Sequence, residues 1–144
     1  MIKSYTFLTS TDIDQMLTLW QAAGLSHRPK GRDTQANILR QMQEDNTKFI
    51  GIFDQGILIA VAIASHNGRK GWINRLAVHP DFRRKGIASK LINHCEEWLS
   101  EEGIEIFAVL IESDNPESMA LFDKNEYTRH DDIIYFTKKK YPEV

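Results

Sequence analysis

The stretch WINRLAVHPDFRRKGIAS, residues 72–89, passes from a strand through a basic turn into a helix. From Trp72 to Val78 the large side chains Trp72, Leu76 and Val78 alternate with Ile73, Arg75 and Ala77, the period of a strand packed on both faces and open to solvent near one end. Pro80 has no N–H to give to a ladder, so the strand stops at His79-Pro80 and the backbone leaves through Asp81-Phe82. From Ile87 the apolar residues recur at helical spacing, at Ile87, Leu91, Cys95 and Trp98/Leu99. The glycine-containing turn Arg83-Arg84-Lys85-Gly86 therefore stands at a helix entrance.

The first N–H groups of a helix lack intrahelical acceptors and carry the positive end of its dipole, so they can close around a phosphate. Gly86 has no side chain to block that approach, and Ala88 and Ser89 are small. The competing reading is a solvated basic helix start. Against it, helix starts favour acidic side chains, and three cations here work against the dipole.

Arg83-x-x-Gly86-x-Ala88, preceded by Leu76-Ala77-Val78-x-Pro80, resembles the signature of the GNAT superfamily, the acyl-CoA-dependent N-acyltransferases. An isolated match of this kind carries little weight. A strand end before it and an amphipathic helix after it make it specific.

The rest of the chain supplies the elements that such a fold needs. Strand-like Ser4–Leu8 is followed by capping oxygens at Ser10–Asp12 and a helix bearing Ile13, Met16, Leu17 and Trp20 that ends near Gly24. Pro29 and Gly31 break the periodicity of residues 25–32, and Asp33 or Thr34 can cap a second helix through Ile38, Leu39 and Met42. Lys48–Phe53 alternates, Asp54-Gln55-Gly56 reads as a hairpin turn, Ile57–Ala64 as a central strand and Asn67-Gly68 as another turn. Gly103 ends the long helix, Ile106–Ile111 reads as a short buried strand, Asn115-Pro116 starts a last helix, and Ile133–Lys138 reads as a closing strand. This order is similar to the GNAT fold over essentially the whole chain. The resemblance implies an α/β fold, a single domain over residues 1–144, with a mixed, mostly antiparallel central sheet, a splayed parallel strand pair and about four flanking helices.

Composition bounds the partners. A chain of 144 residues, 42% hydrophobic, fits one compact domain, and a net charge of −2 argues against a dedicated nucleic-acid binder. The single cysteine, Cys95, excludes an intramolecular disulfide and lies on an apolar helix face, where burial is expected. The N-terminus lacks a signal-like apolar segment and the longest apolar run is too short to span a bilayer, so the expectation is a cytoplasmic protein without a membrane partner. His27, His66, His79, His94 and His130 form no metal pattern, and no HExxH, GxSxG, Walker or Rossmann fingerprint is present.

The resemblance implies that the strand before the basic turn and its parallel neighbour diverge, with the pantetheine arm of acetyl-CoA in the opening. Leu76, Ala77 and Val78 would offer main-chain groups to pantetheine and the thioester carbonyl, an oxyanion-type contact. Arg83 begins the motif, and Arg84, Lys85, Gly86, Ile87, Ala88 and Ser89 would hold the diphosphate. Asn115 matches the family asparagine at the pantetheine arm, with Ser118 one turn later; a simple helix cap is the alternative for Asn115.

The implied reaction is direct transfer of acetyl from acetyl-CoA to a primary amine of a small metabolite or peptide, with no metal. Its alternative is an acyl-CoA-binding sensor without turnover. The chain departs from better-known members where proton transfer is concerned. Phe122 stands where a thiolate-protonating tyrosine is common, and Glu126-Tyr127 replaces the Gly-Phe of the usual Leu-Gly-Phe ending. Tyr127, Tyr135 or a water are substitutes for the acid. Asn74, where several relatives carry glutamate, cannot accept a proton, which leaves Glu112 with a water relay as the candidate base. Acceptor specificity is expected from His27–Asp33 with Arg75 and the last hairpin. If Arg28, Arg32 and Arg75 face the groove, an anionic group beside the amine is favoured. A homodimer through edge strands, common in the family, is an open alternative to a monomer.

Overall fold

A computed structural model describes residues 2–25 and 28–144, with side-chain placement described from residue 5 onward. The element order is β1 (Ile2–Phe7), α1 (Ile13–Ala22), α2 (Gln35–Met42), β2 (Thr47–Asp54), β3 (Ile57–His66), β4 (Gly71–Val78), α3 (Ile87–Glu101), β5 (Phe107–Ala108) and α4 (Pro116–Lys124). The strands form one sheet in the order β1-β2-β3-β4-β5, antiparallel except for the parallel β4–β5 pair. None of the helices is long and apolar enough to cross a membrane among the described residues.

Seven consecutive residues of β3, Leu58–Ala64, are buried because helices cover both faces of the sheet. Val61 and Ile63 point into a cluster with Met16, Leu19 and Trp20 of α1 and Ile38 of α2. Ala60, Ala62 and Ala64 point the other way, into a cluster with Ile87, Leu91, Cys95, Trp98 and Leu99 of α3 and Phe122 of α4. The alanines let α3 lie close to the sheet, and at Gly71 an added Cβ would stand 2.9 Å from the Leu99 methyl groups. The β2–β3 turn uses Gln55 (φ 49°) and Gly56 (φ 81°), the two positive φ values of a primed hairpin turn.

Two expected strands come out differently. Ile106–Ile111 pairs only through Phe107 and Ala108, and Ile133–Lys138 is in no strand at all. Both segments have strand-like side chains, but a strand exists only where a neighbour accepts from its N–H groups and donates to its C=O groups. Among the described residues β5 has a strand partner on one side alone.

Candidate active site

Strand β4 changes character along its length. Its first two residues pair on both sides, Gly71 with Phe107 and Trp72 with Ala108 of β5, while Trp72 also opposes Ser65 of β3. From Ile73 onward the β5 side has no strand partner among the described residues, whereas Asn74, Ala77 and Val78 stay paired to Ile63, Val61 and Ala60. The expected divergence of the parallel strands is therefore present. Between Asn74 and Ala77 the register slips by one residue, a bulge in β4 with Arg75 at φ 56°. Such a bulge redirects the backbone groups of residues 75–77 beside the gap.

The turn after β4 delivers the chain to the mouth of that gap. Its backbone has positive φ at Arg84 (62°) and at Gly86 (76°), the residue preceding α3. The first intrahelical bond runs from the Lys90 N–H to the Gly86 carbonyl at 3.1 Å, so the amides of Gly86, Ile87, Ala88 and Ser89 have no intrahelical acceptor. A Cβ placed on Gly86 would meet nothing within 4 Å, which leaves the approach to these amides open. Arg84 and Lys85 are exposed, and the Lys85 ammonium lies 5.3 Å from the Phe82 ring centre. Arg83 has a different task. Its Nε donates to the Val78 carbonyl at 3.3 Å and its Nη2 to the Ala23 carbonyl at 3.1 Å, so it fastens the end of β4 to the end of α1.

Helix α4 closes the other side of the entrance. Asn125, at its C-terminal end, donates from Nδ2 to Ser89 Oγ at 3.1 Å and to the Leu121 carbonyl at 2.8 Å. At its N-terminal end, Asn115 Oδ1 accepts the Ser118 amide at 3.1 Å, the capping geometry that its residue type favours. Its Nδ2 has no partner among the described residues. Glu112 is exposed beyond β5, its carbonyl accepting the Asn115 N–H at 3.0 Å.

Tyr127, expected to do chemistry, and Arg75, expected to face the acceptor, both have partners within the fold. The Tyr127 hydroxyl donates to Glu96 Oε2 at 2.6 Å, and its ring packs edge-on against Phe122 at 5.0 Å. Burial first, then the bond and charge of Glu96, push the phenol above its ordinary pKa. Glu96 lies ten residues into α3, about 15 Å along the helix from Gly86, so the hydroxyl braces α4 against the body of α3. Arg75 is held between the Trp20 ring, 4.5 Å from its guanidinium, and the Asp33 carboxylate, which it meets in an ion pair. With 19% and 9% side-chain exposure, the pair is nearly closed to solvent and the Arg75 charge is already compensated. Asp33 also accepts the Arg28 amide at 2.5 Å, while Thr34 is the residue that caps α2. Arg28 and Arg32 are exposed; Asn74 is exposed on β4, and His27 lies outside the described residues.

The Arg75–Asp33–Trp20 group and the Asn125–Ser89 clamp were not found from sequence. Their partners lie 36 to 42 residues apart for the two polar pairs, and no local pattern announces them. The described residues hold no cluster of His, Cys, Asp and Glu that could bind a metal ion.

Residues 13–127 match the Acetyltransferase (GNAT) family. The chain belongs to that family. Among curated relatives, this GNAT chain is 28% identical over 128 residues to Acetyltransferase SG1711 of Sodalis glossinidius, covering 89% of each chain. It is 29% identical over 129 residues to Acetyltransferase plu1384 of Photorhabdus laumondii, again covering 89% of each. Its fold is that of AAC(6')-Iy, solved with a bisubstrate analog containing CoA (TM-score 0.77, 19% identity, 96% of this chain and 99% of that one). The PaiA N-acetyltransferase of Thermoplasma acidophilum, solved with coenzyme A, superposes with TM-score 0.76 at 17% identity over 87% of this GNAT chain and 88% of its own. An aminoglycoside acetyltransferase from an uncultured soil metagenomic sample, solved with sisomicin, superposes with TM-score 0.80 at 16% identity and 97% coverage of both. The GNAT acetyltransferase fold thus accounts for nearly all of the chain.

Proposed function

We propose that this acetyltransferase uses acetyl-CoA to acetylate a primary amine of a small metabolite or peptide by direct attack in a ternary complex. The observation that carries the reading is the coincidence, at one end of β4, of an unpaired strand edge with four helix-entrance amides behind an unobstructed Gly86. Both features are main-chain groups in want of partners, and they are of the kind that a phosphorylated, amide-containing arm supplies. Acetyl-CoA, when bound, supplies the activated thioester.

In this reading the amides of Gly86 to Ser89, with Arg84 and Lys85 beside them, hold the diphosphate. The free edge of Leu76, Ala77 and Val78 binds the pantetheine amides, and a main-chain N–H of that edge polarises the thioester carbonyl. Asn115 Nδ2 and Ser118 steady the same arm from α4. Glu112, through a water, accepts the proton that the acceptor amine must lose before it attacks. Tyr127 is a positioning residue for α4, and protonation of the departing thiolate falls to water, since a thiol's ordinary pKa makes that departure feasible. Arg28, Arg32 and Asn74 face the acceptor, while Arg75 acts by shaping the α1–α2 loop through Asp33.

Release of free thiol from acetyl-CoA, followed with a panel of amines that includes amino acids, polyamines, aminoglycosides and peptide N-termini, tests the reaction. Acceptor-dependent release supports transfer; binding of CoA with no release for any amine would reduce the protein to a CoA binder. In the same assay Glu112→Gln is expected to lower the rate at least tenfold below neutral pH and to shift the pH profile. An unchanged profile would remove Glu112 from the proposal.

A further inference from the structure

Asn125 at the end of α4 and Ser89 on the first turn of α3 are both half-buried, and the bond between them has a fixed polarity. Asn125 Nδ2 donates both of its hydrogens, one to the Leu121 carbonyl at 2.8 Å and one to Ser89 Oγ at 3.1 Å. A carbonyl can only accept, so the Leu121 oxygen keeps the amide nitrogen on this side and turns Oδ1 away. Ser89 is therefore held as an acceptor toward Asn125, and its own hydroxyl proton is left for another partner. No acceptor for that proton lies within hydrogen-bond reach among the described residues. A side chain on a helix leans toward the N-terminus, so that of Ser89 lies over the first turn, beside the amides of Gly86, Ile87 and Ala88 that have no intrahelical acceptor. The Ser89 amide is the fourth of that set. One entrance thus gathers four N–H donors and one O–H donor left over by the fold, next to the exposed Arg84 and Lys85.

The competing reading is a brace, in which Asn125 uses Ser89 only to fasten α4 to α3. That fastening is already supplied two turns further along α3, where Glu96 accepts the Tyr127 hydroxyl at 2.6 Å. A bond donated to a hydroxyl oxygen also strengthens that hydroxyl as a donor, which has an effect only where an anion receives the proton. We propose, on the reading that acetyl-CoA binds at this entrance, that Asn125 is a positioning residue: it fixes the Ser89 hydroxyl and aims its proton at the diphosphate. Because Asn115 opens the same helix, α4 then meets the cofactor at both ends, about 15 Å apart. Asn125 serves the diphosphate through Ser89, and Asn115 serves the pantetheine arm.

Titration calorimetry with CoA on the wild type, Ser89→Ala, Asn125→Ala and the double variant tests this, alongside pantetheine, which has no diphosphate, followed by amide shifts in NMR. Ser89→Ala should weaken CoA binding about tenfold or more, and Asn125→Ala about three- to tenfold. In the Ser89→Ala background, Asn125→Ala should change CoA affinity no further, and pantetheine should bind all four proteins equally. Asn125→Asp keeps the side-chain size and carries the test if Asn125→Ala fails to fold. Its carboxylate takes the Ser89 proton for itself, so CoA should bind at least as weakly as to Ser89→Ala. Wild-type CoA affinity in folded Asn125 variants overturns the proposal and leaves the acetyl-CoA reading standing. Equal losses for CoA and pantetheine, or an undiminished loss from Asn125→Ala when the Ser89 hydroxyl is gone, make Asn125 a brace and overturn it too. A wild type that binds no CoA removes both.

Discussion

Substituting Gly86 with alanine separates what the helix entrance does for the fold from what it does for a ligand. At φ 76° a side chain costs about 1–2 kcal/mol, offset by about 0.4–1 kcal/mol because alanine restricts the unfolded chain. No steric term is added, since the new methyl meets no atom of the protein within 4 Å. The net loss of about 0.5–1 kcal/mol should lower the melting temperature by about 2–4 °C in a chain of this size. Gly103, at the other end of α3, has φ 83° and equally open surroundings, so Gly103→Ala should cost the same stability. The two variants should part company in CoA binding. A methyl at Gly86 stands in the approach to the entrance amides, and losing one charge-assisted hydrogen bond, about 1.5–3 kcal/mol, weakens binding by about 10- to 150-fold. Titration calorimetry with CoA on both variants is the assay. Wild-type affinity in folded Gly86→Ala, or an equal loss in Gly103→Ala, would refute the placement of the diphosphate at this helix start.

Asp33→Asn should cost about 1–3 kcal/mol in thermal unfolding, because it takes the carboxylate away from the largely buried Arg75 cation on the Trp20 ring. Glu126→Gly should raise stability by about 0.5 kcal/mol: Glu126 holds φ 70° after the end of α4, where glycine escapes the strain and loses only part of that gain to its freer unfolded chain. Burial, with a smaller contribution from the Glu96 charge, pushes the Cys95 thiol from 9.0 up to about 12. Above pH 9 the unfolded chain releases this proton while the native state keeps it, so stability is complete below pH 9 and falls as pH rises toward 12. Tyr127, raised above 10.0, adds to the fall at higher pH. Denaturant midpoints at pH 8, 9 and 10 should drop less steeply in Cys95→Ala than in the wild type.

The sequence is most informative where a local rule leaves one solution. Pro80 ending a strand, Gly86 before a helical period and an all-apolar run at Ile57–Ala64 made β3, β4 and α3 legible, and with them the entrance to the gap. Glu126 appeared there as a departure from the family ending. The backbone shows that the departure is chemical and not conformational, since Glu126 keeps a positive φ that glycine adopts more readily. Out of reach was anything decided by a distant partner. Asp33 and Thr34 both had the residue type of a cap; Thr34 supplies it, and only the structure shows that Asp33 binds Arg75 across 42 residues. Tyr127 has a proton to give, but sequence cannot show that Glu96 already receives it. Ile133–Lys138 has the propensity of a strand, and propensity does not supply the neighbour that makes one.

The bulge in β4 and the gap beside it have a common physical origin. A regular strand between β3 and β5 would spend every N–H and C=O on its neighbours and leave none for a ligand. Here the pairing with β5 stops after Trp72, and the slip at Arg75 turns the following backbone relative to β3 while Ala77 and Val78 remain anchored on it. Arg75 can occupy a conformation costly for a side chain because Trp20 and Asp33 hold its guanidinium from the other face of the sheet. The loop that carries Asp33 is in turn covered at Gly31 by the C-terminus. The opening along β4 is thus supported from three separate stretches of the chain, and loosening Asp33 or the tail should disturb it more than any change among the exposed cations of the turn.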